Sequence, residues 1–120
     1  MSSNLEKLQF HIDANNKNNF IYELHENDIF LENLFKEFIC EVYKYKLLDK
    51  SLKSELINIL LYFLKILIFH FDPNDQSIIN FPKNFKEKMP LYVDTVEYII
   101  LSISMNKDID NSSILENIKN

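Results

Sequence analysis

Three histidines, one cysteine and eighteen carboxylates are the residues of this 120-residue chain that could carry chemistry. A metal site wants His, Asp or Glu converging at helical spacing. His25 sits between Glu23 and Glu26, His70 lies just before Asp72, and His11 stands apart. None of these spacings is a ligand motif, so the histidines are expected at surfaces or caps, with no metal. Cys40 lies among Lys36, Glu37 and Lys44. A thiol nucleophile needs a base beside it. Without any glycine to shape an oxyanion loop, this one is expected to be inert. The carboxylates are spread so widely that no pair separates into acid and base. No enzyme and no cofactor is expected.

Two groupings remain. Glu23, Glu26, Asp28 and Glu32 form an acidic cluster, extended by Glu37 and Glu41. Its plain reading is a solvated face whose charge suits a helix N-terminus, at about 0.3–1 kcal/mol per residue. Its functional reading is a docking patch for a basic partner, with charge raising the on-rate and fixing orientation. Asp94, Tyr98, Leu101 and Met105 recur at spacings of a helix face. Either the C-terminal segment covers that stripe through Ile109, Ile114 and Ile118, or the stripe is a protein interface, where Tyr and Met are enriched.

Composition narrows the function classes. All thirteen basic residues are lysine, and the net charge is −5. Without glycine no phosphate-cradling loop can be built. Without arginine the bidentate phosphate reader is missing. The acidic balance opposes nucleic-acid binding and favours a basic partner. A lone cysteine excludes an internal disulfide and a cysteine-cluster metal site. The residue bias (Ala14 is the only alanine) resembles that of an AT-rich gene. An apolar share of 47% fits one globular domain over residues 1–120, large enough for a single core.

That core is expected around Leu52 to Phe71. On a helical wheel Ser51, Ser54, Glu55, Asn58, Tyr62 and Lys65 share one narrow stripe, and nearly all the remaining circumference is apolar. Such a helix is buried in a core or spans a membrane. A span needs about 20 mostly apolar residues, and a central Lys65 would cost about 2.5–3.5 kcal/mol there. A buried helix with one wet edge is therefore expected. No basic, apolar leader opens the chain, which points to the cytoplasm.

Other helices must surround it. Ser3 and Glu6 match a capping box for a helix from Asn4 to Ala14, with Leu5, Leu8 and Ile12 inward and Phe10 beside them. Asn15 to Asn19 read as a turn. Phe20 to Leu24 fit either a helical turn or a short strand paired with Ser77 to Phe81. A long amphipathic helix follows over Asp28 to Leu47, capped by Asn27. Leu31, Leu34, Phe35, Phe38, Val42 and Tyr45 face inward there, flanked by Ile39. Asn33, Lys36, Glu37, Cys40 and Lys44 face outward. Asp49 or Ser51 caps the central helix, and Asp72-Pro73-Asn74-Asp75 ends it. A connector follows, with one helical turn near Lys83 to Lys88; Pro82 and Pro90 both suit a first helical position. The last long helix spans Leu91 to Met105, with Tyr92, Val93, Val96, Ile99, Ile100 and Ile103 inward. Ser113 and Glu116 cap a short, frayed final helix. The fold expected is an all-α bundle of four to five helices.

The stretch His70-Phe71-Asp72-Pro73-Asn74-Asp75, followed by Ile79-Asn80-Phe81-Pro82, resembles small immunity proteins of bacterial contact-dependent growth inhibition systems. The resemblance implies a cytoplasmic protein that binds one cognate toxin domain and blocks its active site stoichiometrically. Such toxins are often basic nucleases, whose nucleic-acid contacts an acidic inhibitor would mimic or cover. These proteins bind through variable surfaces, so no family site residue carries over. The expected partner is therefore a basic toxin domain, not nucleic acid or membrane, and the oligomeric state is left open. The alternative is a helical adaptor that self-associates through Tyr98, Leu101 and Met105.

Overall fold

The computed structural model describes residues 3–13, 18–44, 50–70 and 79–119. Six helices run through them: α1 (Ser3–Ile12), α2 (Phe20–Glu26), α3 (Glu32–Lys44), α4 (Lys50–His70), α5 (Phe85–Ser104) and α6 (Ser112–Lys119). The all-α bundle stands, with one helix more than expected. No helix among the described residues is long and apolar enough to cross a membrane.

The core is aromatic. Phe35 stacks on Phe63 with ring centroids 4.8 Å apart, and Phe20, Phe30, Phe38, Phe85 and Tyr92 surround the pair. These residues come from α2, α3, α4, α5 and the turn before α3, so one cluster ties five segments together. α4 buries Leu52, Leu56, Ile59, Leu60, Phe63 and Leu67, a stripe at spacings of three and four. Its polar stripe is exposed as expected, with Tyr62 half-buried. Its apolar remainder is not all covered, since Leu61, Ile68 and Phe69 are 49%, 68% and 48% exposed. α4 therefore lies at one side of the bundle and not at its centre. Among the described helices it packs mainly on α5 and α1.

The boundaries of α2 and α3 correct the expected 28–47 helix. Phe20 to Leu24 are helical, and Asn27 ends α2 instead of opening α3. Asp28 has φ 55°, the left-handed conformation that stops a helix. The chain then pairs briefly. Ile29 forms a parallel bridge with Asn80, Phe30 N–H donates to the Asn80 carbonyl at 2.9 Å, and Asn80 N–H donates to the Asp28 carbonyl at 2.7 Å. Asn80 thus bridges Ile29, not the strand proposed at Phe20 to Leu24. Leu31 lies before α3 and is 37% exposed. Asn and Asp serve equally as helix starts and left-handed stops, so residues 27 and 28 read either way in sequence.

Asn19 is fully buried and joins α1 to α2. Its Oδ1 accepts from the Tyr22 N–H at 2.9 Å, and its Nδ2 donates to the Phe10 and Asp13 carbonyls at 2.8 and 2.6 Å. One amide thus caps the start of α2 and the end of α1.

α5 begins before the expected Leu91 and runs through Pro90, which is not its first residue. Phe85 drives the early start. It is buried and stacks on Phe81 with centroids 4.1 Å apart, and its N–H donates to the Pro82 carbonyl, placing Pro82 in the turn ahead. α5 ends with Asn106 at φ 55°, Asn106 N–H donating to Ile103 and Lys107 N–H to Ser102. This pattern usually takes glycine at the left-handed residue. A chain without glycine uses Asn106 there, as it uses Asp28 after α2. α6 starts at Ser112 and is capped by Asn111, whose Oδ1 accepts from the Ile114 N–H at 3.3 Å. The cap falls before Ser113 because the backbone of Asn111 is held on both sides by tyrosines. Ile118 is fully buried, so α6 is docked, not frayed. Ser51 lies inside α4 and is not its cap. The expectations for the Ser3 cap, Leu5, Ala14 to Lys17, Tyr45 to Asp49, Phe71 to Asp75, Ser77 and Ile78 lie outside the residues and side chains described.

Candidate functional site

The acidic cluster divides in two. Glu32 turns inward: its carboxylate accepts from the Tyr92 hydroxyl and from Lys88 Nζ at 3.3 Å. Burial pushes its pKa up, but the Tyr92 hydroxyl, Lys88 and Lys36 outweigh that and hold it below the ordinary glutamate value. Glu23 is half-buried and accepts from Asn27 Nδ2 at 2.9 Å, reinforcing the end of α2. Glu26 and Asp28 face solvent. Of the two extensions, Glu37 is exposed while Glu41 is buried at 5% exposure beside Lys44.

Glu26 and Asp28 stand at a groove between α2 and α4. One hollow of about 420 Å³ is lined by Ile21, Tyr22, His25, Glu26, Asn58, Ile59 and Tyr62. A second, of about 230 Å³, is lined by His25, Asp28, Tyr62, Ile66 and Phe69 among others. Tyr62 is central to both. Its hydroxyl pKa is raised first by burial and then by Glu26 and Asp28, which places both carboxylates within electrostatic reach of it. The His25 ring lies 5.6 Å from that of Tyr62, and the His25 Nδ1 is 3.1 Å from a Glu26 carboxylate oxygen. Lys65 Nζ sits 5.6 Å above the Phe69 ring.

The groove continues past Asn58 and Ile59 into a larger hollow of about 690 Å³ between α1 and α4. Glu6, Asp13 and Glu55 line it with Gln9 and Asn58, over Phe10, Ile12 and Ile59. Together the hollows form a trench along α4 from Glu55 to Phe69, roughly 20 Å at 1.5 Å per residue. Glu6, Asp13, Glu26, Asp28 and Glu55 line it, with no lysine among the described lining residues. Carboxylates beside tyrosine and phenylalanine faces can pair with cationic side chains and take the apolar stems between them.

The α5 stripe is not a single face. Tyr98 is half-buried, and its hydroxyl accepts from the N–H groups of Asp110 and Asn111, both at 2.9 Å. Tyr43 donates to the Asn111 carbonyl at 2.9 Å, so the C-terminal segment covers Tyr98. Asp94, Leu101 and Met105 remain exposed, the last two at 51% and 56%. Tyr98 thus belongs to the packing of α6, apart from the trench.

Sequence reasoning named Glu26 and Asp28 of the trench and missed Glu6, Asp13, Glu55, Tyr62 and Phe69. The wet stripe on α4 was the available signal, since it contains Glu55, Asn58 and Tyr62. Among the described residues no three of His, Cys, Asp and Glu gather as a metal site, and Cys40 is half-buried. No protein-family model, no curated protein and no solved structure matches the chain.

Proposed function

We propose that this chain is an inhibitor of the immunity type, which binds a basic toxin domain and occludes its active site. The observation that carries the reading is the trench: carboxylates from α1, α2, α4 and the turn after α2 line one aromatic-floored channel, with no lysine among its described lining residues. A toxin that acts on nucleic acid presents lysines and arginines where phosphates bind. The trench offers those groups carboxylates in place of phosphates and the Tyr62 ring as a contact face. Glu26 and Asp28 steer the encounter; Glu23 and Glu32 support the fold and do not meet the partner.

The test is to co-express the chain with the product of the adjacent gene. The expected result is that the product kills cells alone, is tolerated with this chain, and co-purifies with it one to one. The triple variant Glu26→Gln, Asp28→Asn, Glu55→Gln then associates more slowly at low salt and with a weaker salt dependence. A harmless or non-binding neighbour removes the inhibitor reading, and an unchanged on-rate removes the steering.

The exposure of Leu101 and Met105 favours a second reading, a self-associating helical adaptor. It predicts a mass that rises with concentration and falls back in Leu101→Lys.

A further inference from the structure

A smaller pocket of about 280 Å³ lies between α1 and α3, lined by Glu6, Lys7, Phe10, His11, Glu37 and Glu41. Two of these side chains are almost wholly enclosed: His11 is 2% exposed and Glu41 5%. The Oε1 of Glu41 pairs with Lys44 Nζ at 3.3 Å, while its Oε2 is buried with no hydrogen-bond partner. The Nδ1 of His11 is likewise buried without a partner. Its ring is held edge-on to Phe10 at 5.0 Å and tilted against Phe38 at 5.8 Å.

Buried polar atoms normally find partners, and an unpaired one costs about 1–3 kcal/mol. Two such atoms on adjoining helices, both belonging to residues that line one cavity, mark a place built for a donor that comes from outside. We infer that this pocket binds an alkyl-guanidinium or alkyl-ammonium group, whose N–H donors satisfy Glu41 Oε2 and His11 Nδ1 together. Among the described residues that line it, the carboxylates of Glu37 and Glu41 favour a cation. Burial lowers the His11 pKa, against the opposing pull of Glu37 and Glu41. The imidazole is therefore neutral at neutral pH and has an acceptor nitrogen to offer. Phe10 supplies an aromatic face for the same cation. A planar guanidinium, with five donors in a fixed fork, suits two acceptors better than an ammonium does. This pocket is separate from the trench, which runs along α4 beside α1 and α2 and shares only Glu6 and Phe10 with it.

Two sources could supply the group: a free small molecule or an arginine side chain of a bound protein. The intact chain, ¹⁵N-labelled and with its histidine ring signals observed, is titrated separately with butylguanidinium and with a neutral peptide carrying one internal arginine. Tetramethylammonium, which has the charge but no donors, is the control. The expected result is saturable shifts confined to the His11 ring and to residues near 6–11 and 37–41, with none from the control. Saturation by butylguanidinium assigns the site to a small cation. Saturation by the peptide alone assigns it to a partner's arginine. Glu41→Gln weakens the binding about tenfold. Glu37→Gln, at an exposed position where the fold is not at risk, weakens it by a smaller factor. No saturable shift with either probe, or equal shifts from tetramethylammonium, overturns the site. So does binding that Glu41→Gln leaves unchanged while the far-ultraviolet circular dichroism stays native.

Discussion

Glu32 shows how a carboxylate that looks available in sequence is used inside the fold. Its oxygens meet the Tyr92 hydroxyl and Lys88, joining the start of α3 to α5. Tyr92→Phe removes a hydrogen bond to a charged acceptor, and a loss of ~1.5–3 kcal/mol at neutral pH is expected. The pH dependence gives the same pair a second readout. The folded carboxyl lies below the ordinary glutamate pKa, so at acid pH the unfolded chain binds more protons. The contribution is complete above the unfolded value of about 4.3 and is lost as pH falls through the lower folded one. Removing the hydroxyl removes one cause of the depression, so the variant loses less on acidification. The gap between the two urea midpoints should narrow from neutral pH to pH values below about 4. A gap of constant size would mean that Tyr92 acts through packing alone.

The helices follow the same logic of local signal against tertiary context. The buried stripe of α3 and its exposed face were legible from periodicity, as were the inward residues of α5 and the wet edge of α4. Glu41 was not, because its burial depends on α1 lying across it, whereas cover of Tyr98 by the C-terminal segment was one of the two readings its stripe allowed, and its hydroxyl holds that segment. Pro90 misled for a clearer reason. Proline reads as a first helical residue, yet burial of Phe85 extends α5 ahead of it. Pro90 then sits inside the helix, where no N–H reaches the Lys86 carbonyl and the ring crowds it. Pro90 is exposed, so its replacement leaves the core untouched. Pro90→Ala should restore that bond and raise stability by about 1–3 kcal/mol, seen as a higher urea midpoint with an unchanged slope. A lower midpoint would mean that the fixed proline backbone favours the start of α5 more than the missing bond weakens it.

At the scale of the molecule, the net charge of −5 is unevenly placed. Lys44, Lys53 and Lys88 are engaged with Glu41, Asn106 and Glu32, away from the trench. The trench collects carboxylates from three helices and a turn, a convergence that no spacing along the chain records. Glu26 and Asp28 group already in sequence, whereas Glu55 joins the same trench, at its far end, only through the packing of α4. Crowded like charges repel, and the free protein carries that repulsion until a cationic partner relieves it. Neutralising Glu26, Asp28 and Glu55 to their amides should therefore stabilise the isolated chain at low salt, by about 0.2–0.5 kcal/mol for each close pair relieved. Screening tells this apart from a packing effect. The Debye length falls from about 30 Å at 0.01 M salt to about 3 Å at 1 M, so the advantage should vanish as salt rises. Thermal midpoints of both chains across that range would decide it. A triple variant less stable at every salt concentration would make these carboxylates supports of the fold, like Glu23 and Glu32. A gain that disappears with salt would mark them as charges the free protein carries at a cost, as expected of a surface shaped for a cationic partner.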